Sequence, residues 1–204
     1  NTEKFFKADL EAIVDWRGVI GHEPSETELR DGLQASDLYL YFGHDSGSTY
    51  YHKLSGIGLE AIHLRPASIV IGCSSGRLSG EWPIVGLFGE AYRFLINGAP
   101  CYVGNLWDVT AGEMAVFSNH LLATWCLKWK SAPCANCPKK ERSLPKAVSM
   151  SRHACEMKWL MGCAPVVYGL PLESLFEESV APDEPAARAA VPSSAEGTRQ
   201  GNEN

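Results

Sequence analysis

A histidine and a cysteine stand out because each closes an apolar run. "LYLYF", residues 38–42, ends on Gly43 and His44, and "ASIVIG", residues 67–72, ends on Cys73. A thiol becomes a nucleophile as its thiolate, and a neighbouring imidazole can take the proton. If the two runs are adjacent parallel strands, His44 and Cys73 sit at their carboxyl ends, roughly 5 Å apart, where open α/β sheets build their sites. The backbone N–H groups of Cys73 and Asp45 are then candidates for stabilising an oxyanion. Taken singly, a cysteine at a strand end is ordinarily a small buried hydrophobe, and a loop histidine a surface residue. The matched placement carries the assignment.

Two acids follow a third apolar run, "PCYVGNLW" at 100–107. Asp108 reads either as a helix-entry residue or as a specificity acid at the sheet's carboxyl edge. Glu113, three residues after Thr110, has capping-box spacing and is also a candidate substrate contact. Cys134 and Cys137 in "CANC" supply half of a zinc site, and Cys126, Cys155 and His153 form no second knuckle, so no metal is assigned. His22, His52, His63, His120 and His153 show no partner pattern. Trp125 and Trp129 read as core, and no nucleotide motif occurs.

The elements that must position these residues follow from hydrophobic periodicity and punctuation. Phe5, Phe6, Leu10, Ile13 and Val14 have helical spacing. Pro24 and the Ser25/Glu28 pair open a short helix to about 34. Strands follow at 38–42 and 67–72, separated by a Gly-rich loop at 43–66. Both strands are continuously apolar, as parallel strands covered on two faces are. Ile84, Leu87, Phe88, Ala91, Phe94 and Leu95 predict a helix stopped at Asn97-Gly98. After the third strand, Met114, Phe117, Leu121 and Trp125 share one face of a helix from Thr110 to Lys130. A loop spans 131–145, a helix about 146–161, and "APVVYGL" is the last strand. The alternation predicts an α/β fold with a largely parallel sheet flanked by helices.

At 204 residues and 45% hydrophobic content, the chain has material for one domain with a real core plus a tail. Residues 173–204 hold seven acids and two bases, a charge of −5 out of −6, which leaves about −1 for residues 1–172. The body therefore has no basic stripe for direct nucleic-acid binding. From about 176 the Ala-, Pro-, Ser- and Glu-rich sequence predicts a disordered acidic tail, with a domain at 1–175. No apolar run is long enough for a membrane helix, and no signal peptide is recognisable. Seven irregularly spaced cysteines suit a reducing compartment better than a disulfide scaffold. The start at Asn1, inside a helical pattern, suggests a piece of a longer protein.

With these residues assembled, the chain resembles the C-terminal protease domain of separase, a caspase-like cysteine protease. The resemblance rests on "DLYLYFGH", "IGCSSGRL", "NGAPCYVGNLWDVT" and "KWLMGCAPVVYGLPL", collinear over most of residues 16–172. It implies His44 as general base and Cys73 as nucleophile, and it places Asp108 in the acidic stretch associated with an arginine pocket. It further implies cleavage of the cohesin kleisin subunit after arginine, in a Glu-x-x-Arg context, at anaphase. A securin-like pseudosubstrate inhibitor, a large helical region N-terminal to this piece, and action in nucleus and cytoplasm at the mitotic spindle and centrosome are also implied. No cofactor is implied. Two positions depart from the family pattern. Asp45 stands where Gly usually follows the histidine, and "VTAGEMA" replaces an acid-rich "VTDxDID", so that Glu113 remains an acid while Ala111 and Ala115 do not. Two other expectations follow: a weakly active or inactive separase-like binding module, or a caspase-like protease outside chromosome segregation.

Overall fold

The computed structural model describes residues 16–54, 59, 62–80, 88–126 and 141–173. Its centre is a four-stranded sheet in the order β1-β2-β3-β4: β1 Leu38–Phe42, β2 Ala67–Ile71, β3 Cys101–Asn105 and β4 Pro165–Gly169. The first three strands are parallel and β4 is antiparallel to β3. The register pairs Phe42 with Ile71 and Val70 with Gly104, so the three parallel strands finish almost level.

Alternation along the strands divides the core between two faces. Ile69, Ile71, Cys101 and Val103 point to one face. They pack with Met114, Phe117, Leu121 and Leu122, and with Leu144, Ala147 and Val148. Val70 and Tyr102 point to the other face, against Leu29, Leu33, Tyr51, Ala91 and Phe94. The helices that cover these faces are α1 Glu26–Gln34, α2 Ser48–Tyr51, α3 Glu90–Ile96, α4 Ala111–Trp125 and α5 Leu144–Ser151. Every residue of β2 and β3 is buried, whereas every residue of β1 is only partly so. An apolar run alone does not distinguish an edge strand from a central one, and the expectation of two fully covered strands holds for β2 only.

Local signals behave as chemistry requires at several boundaries. Ser25 caps α1 in a complete capping box with Glu28. Asn97 ends α3, and Gly98 takes φ 107°, a conformation that L side chains rarely adopt. Four boundaries differ from expectation. The helix expected from Thr110 to Lys130 ends at Trp125, where Cys126 turns extended. Phe88 lies not in a helix but in an antiparallel bridge with Ser79, since the extended Gly89 separates it from α3. Ile84 and Leu87 lie outside the described residues, as do the helix expected around Phe5 to Val14 and the acidic tail. Thr110 caps α4 without any side-chain bond, so the Thr110/Glu113 capping box does not form. The helix expected at 146–161 runs from 144 to 151 instead. Pro145 is tolerated in its first turn, which moves the start forward. Beyond a short 3-10 turn at Arg152–Ala154 the chain coils through turns, with Trp159 77% exposed. Cys155 and Met161 still pack on the core, whereas Met157, Trp159 and Leu160 are exposed, so the apolar spacing imitates a helix without forming one.

Candidate active site

Two loops leave the carboxyl ends of β1 and β2 side by side. His44 and Cys73 each lie two residues beyond the paired Phe42 and Ile71. Gly43 still donates to the Ile71 carbonyl at 3.4 Å, which extends the pairing one step past the strand. The first loop then folds onto the second: a Cβ on Gly72 would run into the Asp45 carbonyl. Only a glycine at 72 allows this approach. His44 and Asp45 are exposed and Cys73 is half-buried. No hydrogen bond joins His44 to Cys73 here, and the thiol donates to the Val109 carbonyl at 3.4 Å. Hydrogen bonds of this kind are commonly long or absent before substrate binds.

The backbone around the thiol is held from below. Ser74 N–H donates to Trp107 O at 3.1 Å, Ser75 N–H to Gly72 O at 3.4 Å, and Gly76 N–H to Asn105 O at 2.8 Å. Ser75 Oγ donates to Val70 O at 2.7 Å and accepts from Asn105 N–H at 3.0 Å. Asn105 Nδ2 reaches Gly72 O at 3.0 Å. Tyr102 and Tyr168 donate their hydroxyls to the Ser75 and Gly76 carbonyls at 2.9 and 2.7 Å. Gly76 lies so close to Gly104 that neither accepts a side chain. Among the described residues, two non-glycine residues take positive φ, Asp45 at 49° and Ser74 at 53°. They are the residues that follow His44 and Cys73.

The two acids face different neighbours. Asp108 is exposed and accepts from Ser74 Oγ at 2.8 Å, which ties it to the residue after the thiol. Glu113 is partly buried in the first turn of α4, where Cys155 Sγ approaches its carbonyl at 3.7 Å. Its Oε2 is buried with no hydrogen-bond partner among the described residues. Such an oxygen is costly to leave unpaired and suits a cationic guest. Burial, with Glu113 nearby, pushes the Cys155 thiol up to about 12, and burial pushes Cys101 up to about 11. Both stay protonated and unreactive at neutral pH.

Further along the rim, Trp107 Nε1 donates to Leu160 O at 3.1 Å, linking the end of β3 to the turns before β4. These turns and α5 enclose a cavity of about 150 Å³ lined by Arg152, His153, Lys158 and Trp159. Among the described residues no group of three or more His, Cys, Asp or Glu is placed to hold a metal, and no helix is long and apolar enough to cross a membrane. Cys134 and Cys137 lie outside the described residues. Sequence reasoning missed Tyr41, Ser74 and Asn105. Asn105 had a usable signal, since it is the polar end of a fully apolar strand, the same pattern that drew attention to His44.

Residues 1–114 match the family model described as "Separin, protease domain". The chain is 35% identical over 173 residues to the separin of Emericella nidulans and 36% identical over 171 residues to that of Schizosaccharomyces pombe. These alignments cover 83% and 84% of this chain but only 8% and 9% of the relatives, so the chain spans less than a tenth of their length. Among solved structures it is similar to the Saccharomyces cerevisiae separase–securin complex at 2.6 Å resolution, with TM-score 0.71 and 31% identity. That likeness covers 85% of this chain and 11% of the other.

Proposed function

The chain belongs to the separin protease-domain family, and on that premise we propose that it is the catalytic part of a cysteine endopeptidase, with Cys73 as nucleophile and His44 as base. The observation that carries the proposal is the register: adjacent parallel strands end level, and His44 and Cys73 each follow by two residues. His44 takes the thiol proton. The thiolate attacks the scissile carbonyl, a C–S bond forms, and the carbonyl electron pair moves onto oxygen, held by the N–H groups of Cys73 and Asp45. As the tetrahedral centre collapses, the C–N bond breaks and protonated His44 gives its proton to the departing amine. Water then attacks the thioester with His44 as base, and the acid product leaves Cys73 as thiolate.

We further propose cleavage after arginine. Asp108, beside the thiol loop, and Glu113, whose Oε2 has no hydrogen-bond partner among the described residues, are the two candidates for the guanidinium, which pairs with carboxylates through a rigid fork of donors. The substrate in this reading is a cohesin kleisin subunit cut in a Glu-x-x-Arg context at anaphase. A securin-like inhibitor and the protein's own N-terminal helical region are the remaining partners, acting in nucleus and cytoplasm at the spindle and centrosome. Incubating a kleisin fragment with the full-length protein, native or Cys73→Ser, tests the proposal. Cleavage at arginine that vanishes with Cys73→Ser is expected. A kleisin that binds but is never cut would make the chain a binding module, the reading favoured by Asp45 standing where the family has glycine.

A further inference from the structure

The two peptide groups proposed to hold the oxyanion have one structural feature in common: each has its carbonyl pinned by a side chain from the sheet. A trans peptide is planar, and its C=O and N–H point in opposite directions. Fixing the carbonyl therefore aims the N–H.

At the thiol loop, the Gly72 carbonyl and the Cys73 N–H belong to one peptide. Asn105 Nδ2 holds that carbonyl at 3.0 Å from the fully buried end of β3. The N–H groups of residues 74, 75 and 76 all turn inward to Trp107, Gly72 and Asn105 carbonyls. The Cys73 N–H finds no acceptor among the described residues. At the other loop, the His44 carbonyl and the Asp45 N–H form one peptide, and the Tyr41 hydroxyl holds that carbonyl at 2.8 Å. The Asp45 N–H likewise finds no acceptor among the described residues. The two peptides are neighbours, since the Asp45 carbonyl packs on Gly72. Two free donors side by side beyond a half-buried thiol are what one oxyanion requires.

The chemistry of the two side chains fits this task better than a stabilising one. Asn105 leaves its Oδ1 buried and unpartnered, and an unmade buried hydrogen bond is destabilising. Its orientation is settled by the Gly72 carbonyl, which accepts only from the NH2 half. Burial raises the Tyr41 phenol to about 12, with smaller contributions from Tyr50, Tyr39 and Asp45, so it remains a donor across the working range of pH. We infer that Asn105 and Tyr41 are positioning residues of the oxyanion hole, each aiming one donor through the carbonyl behind it. The inference rests on the endopeptidase reading.

The test compares two reactions of the same thiol in the full-length protein. Hydrolysis of a fluorogenic Glu-x-x-Arg peptide develops an oxyanion, whereas alkylation of Cys73 by iodoacetamide displaces iodide at a saturated carbon and develops none. Losing a donor outright costs ~10²–10³ in kcat, so mis-aiming is expected to cost about 100-fold in Asn105→Leu and about 10-fold in Tyr41→Phe, with KM nearly unchanged. The alkylation rate stays within about two-fold in both, as expected if only transition-state binding is lost. Tyr41→Phe removes a single oxygen, and it decides the matter even if Asn105→Leu fails to fold. Hydrolysis and alkylation falling together would show that these residues merely hold the loops and would overturn the inference. So would unchanged hydrolysis in Tyr41→Phe. In either case Cys73-dependent cleavage by the native protein leaves the endopeptidase reading standing. Peptide hydrolysis that survives Cys73→Ser removes that reading, and the inference with it.

Discussion

The loops after β1 and β2 start level on neighbouring strands but are held very differently. Residues 72–76 are fastened by three inward N–H bonds, by Asn105 and by two tyrosine hydroxyls. Residues 43–45 have the Gly43 N–H and the Tyr41 hydroxyl. The first arrangement fixes a half-buried thiol, and the second carries an exposed imidazole. A nucleophile must be held within a fraction of an ångström of its target, whereas a base that shuttles protons between two partners needs some freedom. The contrast therefore matches the two proposed roles and offers direct ways to attack it.

The largest effects should fall on the reacting groups themselves. Cys73→Ser is expected to abolish cleavage, and His44→Ala to lower kcat by roughly 10²–10⁴, the usual range for a general base. An arginyl acyloxymethyl ketone should label Cys73 alone, which peptide mapping reads out. Cys101 and Cys155 are excluded by their raised thiol pKa values, about 11 and about 12. Labelling mapped chiefly to Cys163 would move the nucleophile away from the fastened loop and end the comparison.

The arginine contacts come next. A hydrogen bond to a charged group is worth about 1.5–3 kcal/mol, so Asp108→Asn should lower kcat/KM for an arginyl peptide by roughly 10–100-fold. Its chemical denaturation midpoint should hardly move, because the carboxylate is exposed. Loss with Glu113→Gln in place of Asp108→Asn would exchange the roles of the two acids. Loss with neither leaves both as residues of the helix entry.

Two adjacent serines sharpen the picture of the fastened loop. Ser75 is buried and bridges Val70 O and Asn105 N–H, whereas Ser74 reaches only the exposed Asp108. Ser75→Ala strands both partners and should cost about 1–3 kcal/mol in urea unfolding. Ser74→Ala should stay within about 0.5 kcal/mol. Equal losses would mean that the loop is not held through its buried side.

The uneven legibility of the sequence has the same physical root. Apolar runs, the Ser25/Glu28 box and Asn97-Gly98 are local patterns, and they located all four strands and several of the helix boundaries near them. The placement of His44 and Cys73 followed because strand ends are visible as breaks in apolar runs. Asn105 and Tyr41 were illegible as hydrogen-bond partners, because Asn105 meets Gly72 only once the register of β2 and β3 is set. The turns at 155–163 misled for a related reason. Trp107 draws Leu160 toward β3, a tertiary bond that helical periodicity cannot report.

The smallest effect is expected at Asp45, on the loosely held loop. Its φ of 49° is a conformation that glycine adopts freely and that Asp tolerates better than most side chains. The glycine that the family resemblance implies here would take that geometry freely, and Asp keeps it at a cost. The cost has a second part, because an exposed carboxylate beside the donor N–H disfavours a developing negative charge. Solvent screens most of this repulsion. Asp45→Gly is accordingly expected to raise kcat only a few-fold, by about 0.5–1 kcal/mol of transition-state stabilisation. Asp45→Leu should lower it, because a bulky side chain resists positive φ and draws the loop out of place. Among the described residues no hydrogen bond joins Asp45 to the His44 ring, so the carboxylate has no partner there to lose. Measuring native protein and both variants on one peptide, at low and high salt, separates the two parts. A purely geometric cost is salt-independent, and an electrostatic one shrinks as ionic strength rises. Slower turnover in Asp45→Gly would reverse the argument: the carboxylate would then be steadying the imidazole, and the loop after β1 would be better fastened in action than its two hydrogen bonds suggest.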